Sequence, residues 1–382
     1  MGVHSKKGAS AAHRWINCPG SIRLSEKCVQ SDDGSEYAKE GTAAHALAEV
    51  KLKIALDRPT KADELKEATK SEYFDGEMDE ATDFYRDIVL EHYNAAGPGA
   101  EMMIEQRVDY SSWVEDGFGT SDAVIVNDDT IEIIDLKYGK GVRVDAKENE
   151  QMRLYALGAF EIFGDLYDFD KVRMTIVQPR LDHVSTEEMT LNDLIDWAHE
   201  VVEPAAKEAD EPDARVCPGD WCRWCPAKAI CRARAEKNLE LARYEFADPD
   251  LLEEEEIGEI LTKAEELQKW AADLQAYALQ QAMDGTTYDG WKLVEGRSVR
   301  KYADELKVAE VLQKAGFKEA MLYERKLQGL TAMEKLVGKK KLTETLGDLI
   351  IKPAGKPTLV PATDKREAIN SAASAKEDFA DG

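Results

Sequence analysis

Residues 121–137, SDAVIVNDDTIEIIDLK, carry two apolar, β-branched runs joined by NDDT, and the second run ends on an Asp and a Lys two positions apart. NDDT is good turn chemistry, so the runs predict an antiparallel hairpin. With a side-chain period of two, Ile131, Ile133, Asp135 and Lys137 fall on one face, and Glu132, Ile134 and Leu136 on the other. Asp122, at the start of the partner strand, comes near Asp135 in such a hairpin. Two carboxylates and an ammonium then meet at one end of a sheet. Desolvating such charges costs several kcal/mol per ion unless they are paired or bind a cation. A hard divalent ion, Mg2+ or Mn2+, suits carboxylate and carbonyl oxygen, and the backbone carbonyl of Leu136 is a candidate further ligand. Lys137 is placed to hold an attacking water or to neutralise charge building up on a phosphate. A structural Asp–Lys pair at a strand end satisfies the same two residues.

The flanking sequence supplies helices and two more strands. Apolar residues recur at helical spacing from Glu40 to about Leu56, and a second helix is expected over 76–95. MMIEQRV precedes the hairpin as a strand. AKENEQMRLYALGAFEIFG predicts an amphipathic helix closed by Gly164, followed by the strand KVRMTIVQP and the helix LNDLIDWAHEVVEPAAKEA. A Cys-rich loop occupies 215–231. Beyond it, 251–284 predicts a long charged helix, TTYDGWKLVEG a hairpin, and 303–348 short helices. The stretch from about 367 has little to bury and is expected to be disordered.

At 382 residues the chain has room for two domains, or for one domain with a large appendage. The expected division is an N-terminal segment 1–35, a core 36–215, a Cys-rich segment 216–240, a helical region 241–366 and a tail 367–382. A net charge of -26 argues against phosphate binding over the whole surface. Local balance differs: Lys137, Lys140, Arg143, Lys147 and Arg153 cluster in one stretch, and Arg223, Lys228, Arg232 and Arg234 in another. No apolar run is long enough to span a bilayer, the first residues lack the apolar centre of a secretion signal, and Lys6 stands where myristoylation needs Ser or Thr. The expectation is a cytoplasmic protein without a membrane partner. There thiols stay reduced, so six Cys, four of them within 217–231, point to metal ligation over disulfides.

Two weaker signals join the hairpin. EGTAAHALAE places His45 on a helix one turn before Glu49, and QMRLYA places Gln151 and Tyr155 four apart on one helical face. In chain order the set is Gly41–His45, Asp122, Asp135–Lys137 and Gln151–Tyr155. It resembles the RecB-type branch of the PD-(D/E)XK nucleases, which runs G-x-x-x-H, Asp, (D/E)-x-K, Q-x-x-x-Y. The resemblance implies a restriction-endonuclease-like mixed α/β sheet flanked by helices. It also implies metal ligation by His45, Asp122 and Asp135, assistance of the attacking water by Lys137, and orientation of the substrate strand or the Lys by Gln151 and Tyr155. Glu105, on the preceding strand, receives no role.

The cysteines admit two readings. Cys217, Cys222, Cys225 and Cys231 could form a tetrahedral Zn2+ site. Alternatively, Cys18 with Cys222-x2-Cys225-x5-Cys231 resembles the iron–sulfur nucleases, among them AddB-type helicase-nucleases and CRISPR-associated exonucleases. In those a [4Fe–4S] cluster staples the beginning of the domain to its end; Cys217 and Cys28 are then spare. A zinc deaminase is disfavoured, because neither H-x-E nor P-C-x-x-C occurs. GWKLVEGRSVRKYAD and GKPTLVPATDKREAI resemble the C-terminal part of a phage-encoded family that carries this nuclease pattern in its N-terminal half. The expected function is therefore a Mg2+- or Mn2+-dependent DNA exonuclease. It would act on DNA with free ends in phage replication or recombination, alongside other proteins of those processes. The rival expectation is a DNA- or replisome-binding adaptor that keeps a zinc-stabilised nuclease-like fold.

Overall fold

The structure, a computed structural model, describes residues 5–28, 36–60, 63–240, 254–292, 305–314 and 338–346, with 294, 333 and 349–350 as short pieces. Five strands form one sheet in the sequential order β1 (Glu101–Asp109), β2 (Phe118–Val126), β3 (Thr130–Leu136), β4 (Lys171–Gln178) and β5 (His183–Thr190). All neighbours pair antiparallel except β3 and β4, which run parallel. A parallel pair needs a crossover, and helix α6 (Glu150–Phe163) supplies it. β2 and β3 form the expected hairpin, with Asn127 Oδ1 accepting from the Thr130 N–H at 2.8 Å.

Local sequence sets the helix starts. Asp75 caps α5 (Gly76–Ala95) by accepting from Met78 N at 2.9 Å, and Asn149 caps α6 by accepting from Met152 N at 3.2 Å. Gly164 ends α6 with right-handed backbone; a Cβ there would meet the Phe160 carbonyl oxygen at 2.7 Å.

The sheet is covered on both faces. On one side Val124, Val126, Ile131, Ile133, Met174 and Ile176 pack with Leu154, Ala156 and Leu157 of α6. On the other, Ala123, Ile125, Ile134, Leu136 and Val177 meet Ala48 and Leu52 of α3 (Glu36–Ala55) and Tyr85 and Val89 of α5. The β3 sequence therefore carries apolar residues at both parities, interrupted before Asp135 by buried Glu132, which pairs with His92 and Arg173. Short helices α1 (Ala12–Asn17) and α2 (Ser21–Glu26) precede α3, and α4 (Glu64–Ala68) lies between α3 and α5.

Three elements depart from the sequence reading. Strand β5 was not foreseen, because HVSTEEMT is polar on both faces and buries only His183 fully. The helix expected over 191–209 is three pieces: α7 (Leu191–Trp197), a π-turn Ala198–Val202, and α8 (Glu203–Ala209). Pro204, which has no N–H to give, forces the wider turn. The hairpin expected over 286–296 is not seen in its described part, where 286–292 hold only a turn closed by Trp291 N to the Tyr288 carbonyl at 3.0 Å. Its remainder apart from 294 lies outside the described residues, as does the tail 367–382.

The chain divides into two units, 1–250 with 266–281, and 251–265 with 282–382. The first holds the sheet, α1 to α8, the Cys-rich segment and α9 (Arg232–Leu239). Helix α10 (Glu254–Met283) supplies residues to both. The second also holds the helices α11 (Glu305–Lys314) and α12 (Lys339–Leu346). Among the described residues no helix is long and apolar enough to cross a membrane.

Candidate functional site

The β1–β2 ladder skips one opposed pair, Glu105 and Asp122, between Ile104↔Ala123 and Gln106↔Ser121. Glu105 has φ 51°, a left-handed backbone uncommon for a side chain of its size. Both strands exchange faces there: Met103 and Val108 pack on the α6 side although their parities differ. On β2, Val124 faces α6, and so does Gly119, where a Cβ would strike the Tyr155 ring at 2.7 Å. The β2–β3 ladder also stops just short of this point, at Ala123↔Ile134. Instead of a backbone partner, Leu136 N–H donates to Asp122 Oδ2 at 2.7 Å. The sheet thus opens where the acids stand, and a side chain takes over the lost rung.

Helix α3 brings His45 into that opening because Ala44, Leu47, Ala48 and Leu52 bury the neighbouring stripe. His45 Nδ1 lies 3.0 Å from Asp122 Oδ1. Burial alone would lower the imidazole pKa, but the charge and hydrogen bond of Asp122, with Asp135 behind it, outweigh burial and the opposing Lys137, and raise it to about 9. Donor atoms of His45, Glu105 and Asp122 all lie within 4.8 Å of one another, the one such group of His, Cys, Asp or Glu among the described residues. Partial burial, then the charges of Asp122 and Glu49, raise Glu105 to about 7. His45, Glu49, Glu105, Asp122 and Leu136 line one small cavity beside Tyr85.

Asp135 is not in that group. Its side chain is buried, with Oδ2 2.9 Å from Lys137 Nζ and Oδ1 3.5 Å from Gln151 Nε2. The Lys137 contact lacks hydrogen-bond geometry, so Oδ2 is a buried oxygen without a hydrogen-bond partner. Burial raises the Asp135 pKa against the pull of Lys137. Lys137 Nζ also donates to Gln151 Oε1 at 2.8 Å, and Gln151 Nε2 to Tyr155 Oη at 3.0 Å. The Asn149 cap and the spacing of four thus place both helix residues over the Asp-x-Lys strand end. Sequence reasoning grouped His45, Asp122 and Asp135; the geometry groups His45, Glu105 and Asp122, with Asp135 facing Lys137 and Gln151. Glu105 was missed because MMIEQRV reads as an uninterrupted strand, and a skipped ladder pair leaves no mark in composition.

The loop between β3 and α6 is fixed from β4 and β5. Buried Gln178 donates to the carbonyls of Gly139 and Val142, each at 2.8 Å, and accepts from Val144 N at 3.1 Å. Ser185 Oγ accepts from Ala146 N at 3.0 Å, and Glu187 from Glu148 N at 3.0 Å. The strand absent from the sequence reading therefore steadies the loop that follows Lys137.

A second site lies where the chain start meets the Cys-rich segment. Cys18, Cys217, Cys222, Cys225 and Cys231 line one cavity with Arg14, Ser21 and Trp221. Gly20 N–H donates to the Arg215 carbonyl at 2.7 Å, in a contact so close that a Cβ on Gly20 would stand 2.5 Å from the Ala214 carbonyl oxygen. Cys217 N–H then points at Cys18 Sγ, 3.2 Å away. Burial raises the Cys18 thiol to about 11, with neighbouring Cys222, Cys217 and Cys225 adding to it against that N–H. Burial also raises Cys222 and Cys225, each of which feels Cys231. Among the described residues no three thiol sulfurs lie within 4.8 Å of one another. Thiolates on a single zinc at ~2.3 Å in a tetrahedron stand about 3.8 Å apart. Cys28 does not line that cavity; its Sγ donates to the Leu24 carbonyl at 3.4 Å, near enough for Cys225 to act on it.

The basic clusters are largely neutralised. Lys140 pairs with Glu77, Arg143 with Asp145 and Arg153 with Glu187. Arg234, counted from sequence in a basic cluster with Arg223, Lys228 and Arg232, is buried and holds Glu266 and Asp273 of α10, each at 2.7 Å. Arg223 and Arg232 are exposed, Arg223 over the Trp224 ring at 5.1 Å.

The family described as "Protein of unknown function (DUF2800)" matches residues 4–367. A solved structure titled "Crystal structure of SSO0001" is similar at 14% identity and a TM-score of 0.22, covering 56% of this chain and 94% of that one.

Proposed function

We propose that this chain, which belongs to the DUF2800 family, is a divalent-metal-dependent deoxyribonuclease, an exonuclease serving phage DNA replication or recombination in the host cytoplasm. The observation that carries the reading is the meeting, at one opening in the sheet, of the His45–Asp122 pair with the Asp135–Lys137–Gln151 chain. The mixed sheet with helices on both faces supports a restriction-endonuclease-like core, in which such an opening is the cutting edge.

The donors fit Mg2+ or Mn2+: an imidazole nitrogen beside carboxylate oxygen, with Asp135 Oδ2 held 2.9 Å from the Lys137 ammonium. His45 and Asp122 would hold the ion, and Asp135 and the Leu136 backbone flank it. When bound, the ion supplies Lewis acidity and eases deprotonation of water. Lys137 orients the attacking water and stabilises charge on the phosphate as it develops. Gln151 fixes the ammonium by accepting from it, and Tyr155 fixes Gln151 in turn. Leu136 N–H holds Asp122 in register with the strand that bears Asp135.

The thiols of Cys18, Cys222, Cys225 and Cys231 fit a [4Fe–4S] cluster better than one zinc ion. They share a buried cavity, yet stand wider than a single ion gathers its thiolates. The cluster's part is structural, joining the chain start to residues 217–231.

Digestion of end-labelled linear and circular DNA with Mn2+ tests the function. Linear DNA should be degraded, chelation should stop it, and Asp122→Ala and Lys137→Ala should each reduce the rate by about 10²-fold or more. Variants as fast as the parent would remove the site assignment. Iron and labile sulfide in anaerobically purified protein test the cluster; zinc in their place would favour the Cys217, Cys222, Cys225, Cys231 set.

A further inference from the structure

We propose that Glu105 is a direct ligand of the divalent ion, so that β1 contributes to a site whose sequence pattern names only α3, β2 and β3. The inference deepens the metal reading above and rests on it. Glu105 has a donor oxygen within 4.8 Å of donor atoms of both His45 and Asp122, in the same cavity. Its carboxylate makes no hydrogen bond or salt bridge among the described residues. Glu105 stands opposite Asp122; His45 pairs with Asp122 and Lys53 with Glu49, which leaves the Glu105 carboxylate as the one of these three acids without a salt bridge among the described residues. A second feature points the same way: Asp135 is 3% exposed, its Oδ2 lies 2.9 Å from Lys137 Nζ without accepting a hydrogen bond, and its charge acts on His45. Four acids around one imidazole and two ammonium groups, those of Lys53 and Lys137, leave one negative charge unbalanced, that of the unpaired Glu105 carboxylate.

The backbone adds a third argument. Glu105 adopts φ 51° inside a strand, where glycine would be at ease and a long side chain is not. This conformation breaks the ladder at the residue facing Asp122, and so turns the carboxylate out of the alternation and into the opening. A residue kept strained and repelled, where glycine would relieve both, is accounted for by what its carboxylate binds.

The test uses the full chain, stripped of divalent ions by chelator and titrated with Mn2+ alone, free Mn2+ being read by electron paramagnetic resonance. Glu105→Gln and Glu105→Gly should each weaken Mn2+ binding by at least about tenfold, while the exposed Glu115→Gln leaves it unchanged. Glu105→Gly separates ligation from folding: in chelator it should melt no lower than the parent, because glycine accepts the left-handed backbone and the repulsion is gone. Parent-like Mn2+ affinity in Glu105→Gly, or a parent that binds no Mn2+, would overturn the assignment. Tight Mn2+ binding lost in both variants, in a protein that digests no DNA, would remove the nuclease reading and leave the ligand standing.

Discussion

Lys137 stands between a buried carboxylate and a helix-borne amide, and both contacts direct its ammonium toward the opening in the sheet. Asp135 has little water to fall back on, so replacing Lys137 strands a buried charge. Lys137→Met should lower stability by about 3 kcal/mol, the low end for breaking a buried pair because the Lys is partly exposed. In urea denaturation the double variant Lys137→Met with Asp135→Asn should recover most of that loss, while DNA cleavage stays absent in both. No recovery in the double variant would mean that the pair is not the source. At this scale part of the site was legible: Asp135 with Lys137 and Gln151 with Tyr155 share faces by two periodicities, the hairpin brings in Asp122, and His45 joined them through the family resemblance. Glu105 was not, because its place depends on one backbone angle that no neighbouring residue type announces. Asp135 was legible as a charged strand end, but not in its preference for Lys137 and Gln151 over the His45 group.

Helix α6 is the element on which the site hangs, and its first turn is tied down by His13 of α1. The ring Nδ1 lies 3.0 Å from Glu150 Oε1 and Nε2 lies 3.2 Å from Asp220 Oδ2, so one imidazole links α1, the helix bearing Gln151, and the Cys-rich segment. The hydrogen bond to Glu150, ahead of opposing burial and the Glu150 charge, raises His13 to about 9. Because the folded pKa lies above the unfolded value of 6.5, this contribution is complete below about pH 6.5 and is lost as pH rises through about 9. Melting temperature should therefore fall more steeply between those limits in the parent than in His13→Gln, and parallel profiles would exclude the bridge. Four of the strands and the longer helices α3, α5, α6 and α10 followed from apolar periodicity, whereas the short helices α1, α2, α4 and α9 did not. Strand β5 did not, since an edge strand that lends Ser185 and Glu187 to a neighbouring loop carries the polar residues that normally mark a loop. The π-turn was hidden because Pro204 is tolerated in the first turn of a helix as readily as it distorts a continuous one.

The first unit is closed by contacts between residues some two hundred positions apart, Gly20 on Arg215 and Cys18 on Cys217. A cross-link over a loop of that length restricts the unfolded chain by about 5 kcal/mol in the chain-entropy treatment. Cys18→Ser should accordingly lower both iron content and melting temperature together, whereas Cys28→Ser should change neither. Equal iron in Cys18→Ser would return the site to the Cys217 set. The remote N-terminal Cys18 came from the resemblance to iron–sulfur nucleases; what the sequence could not convey is the glycine contact that seats Cys18 beside Cys217.

That seating has a consequence for how the protein is made. At about 5–20 residues per second, Cys18 leaves the ribosome roughly 10–40 s before Cys222 exists to meet it. The opening turns α1 and α2 thus have no surface to settle on until the sheet, α6 and the 214–216 stretch have been synthesised. Maturation runs in a fixed order, with the first residues translated among the last to find their place, and the proposed cluster would wait for them.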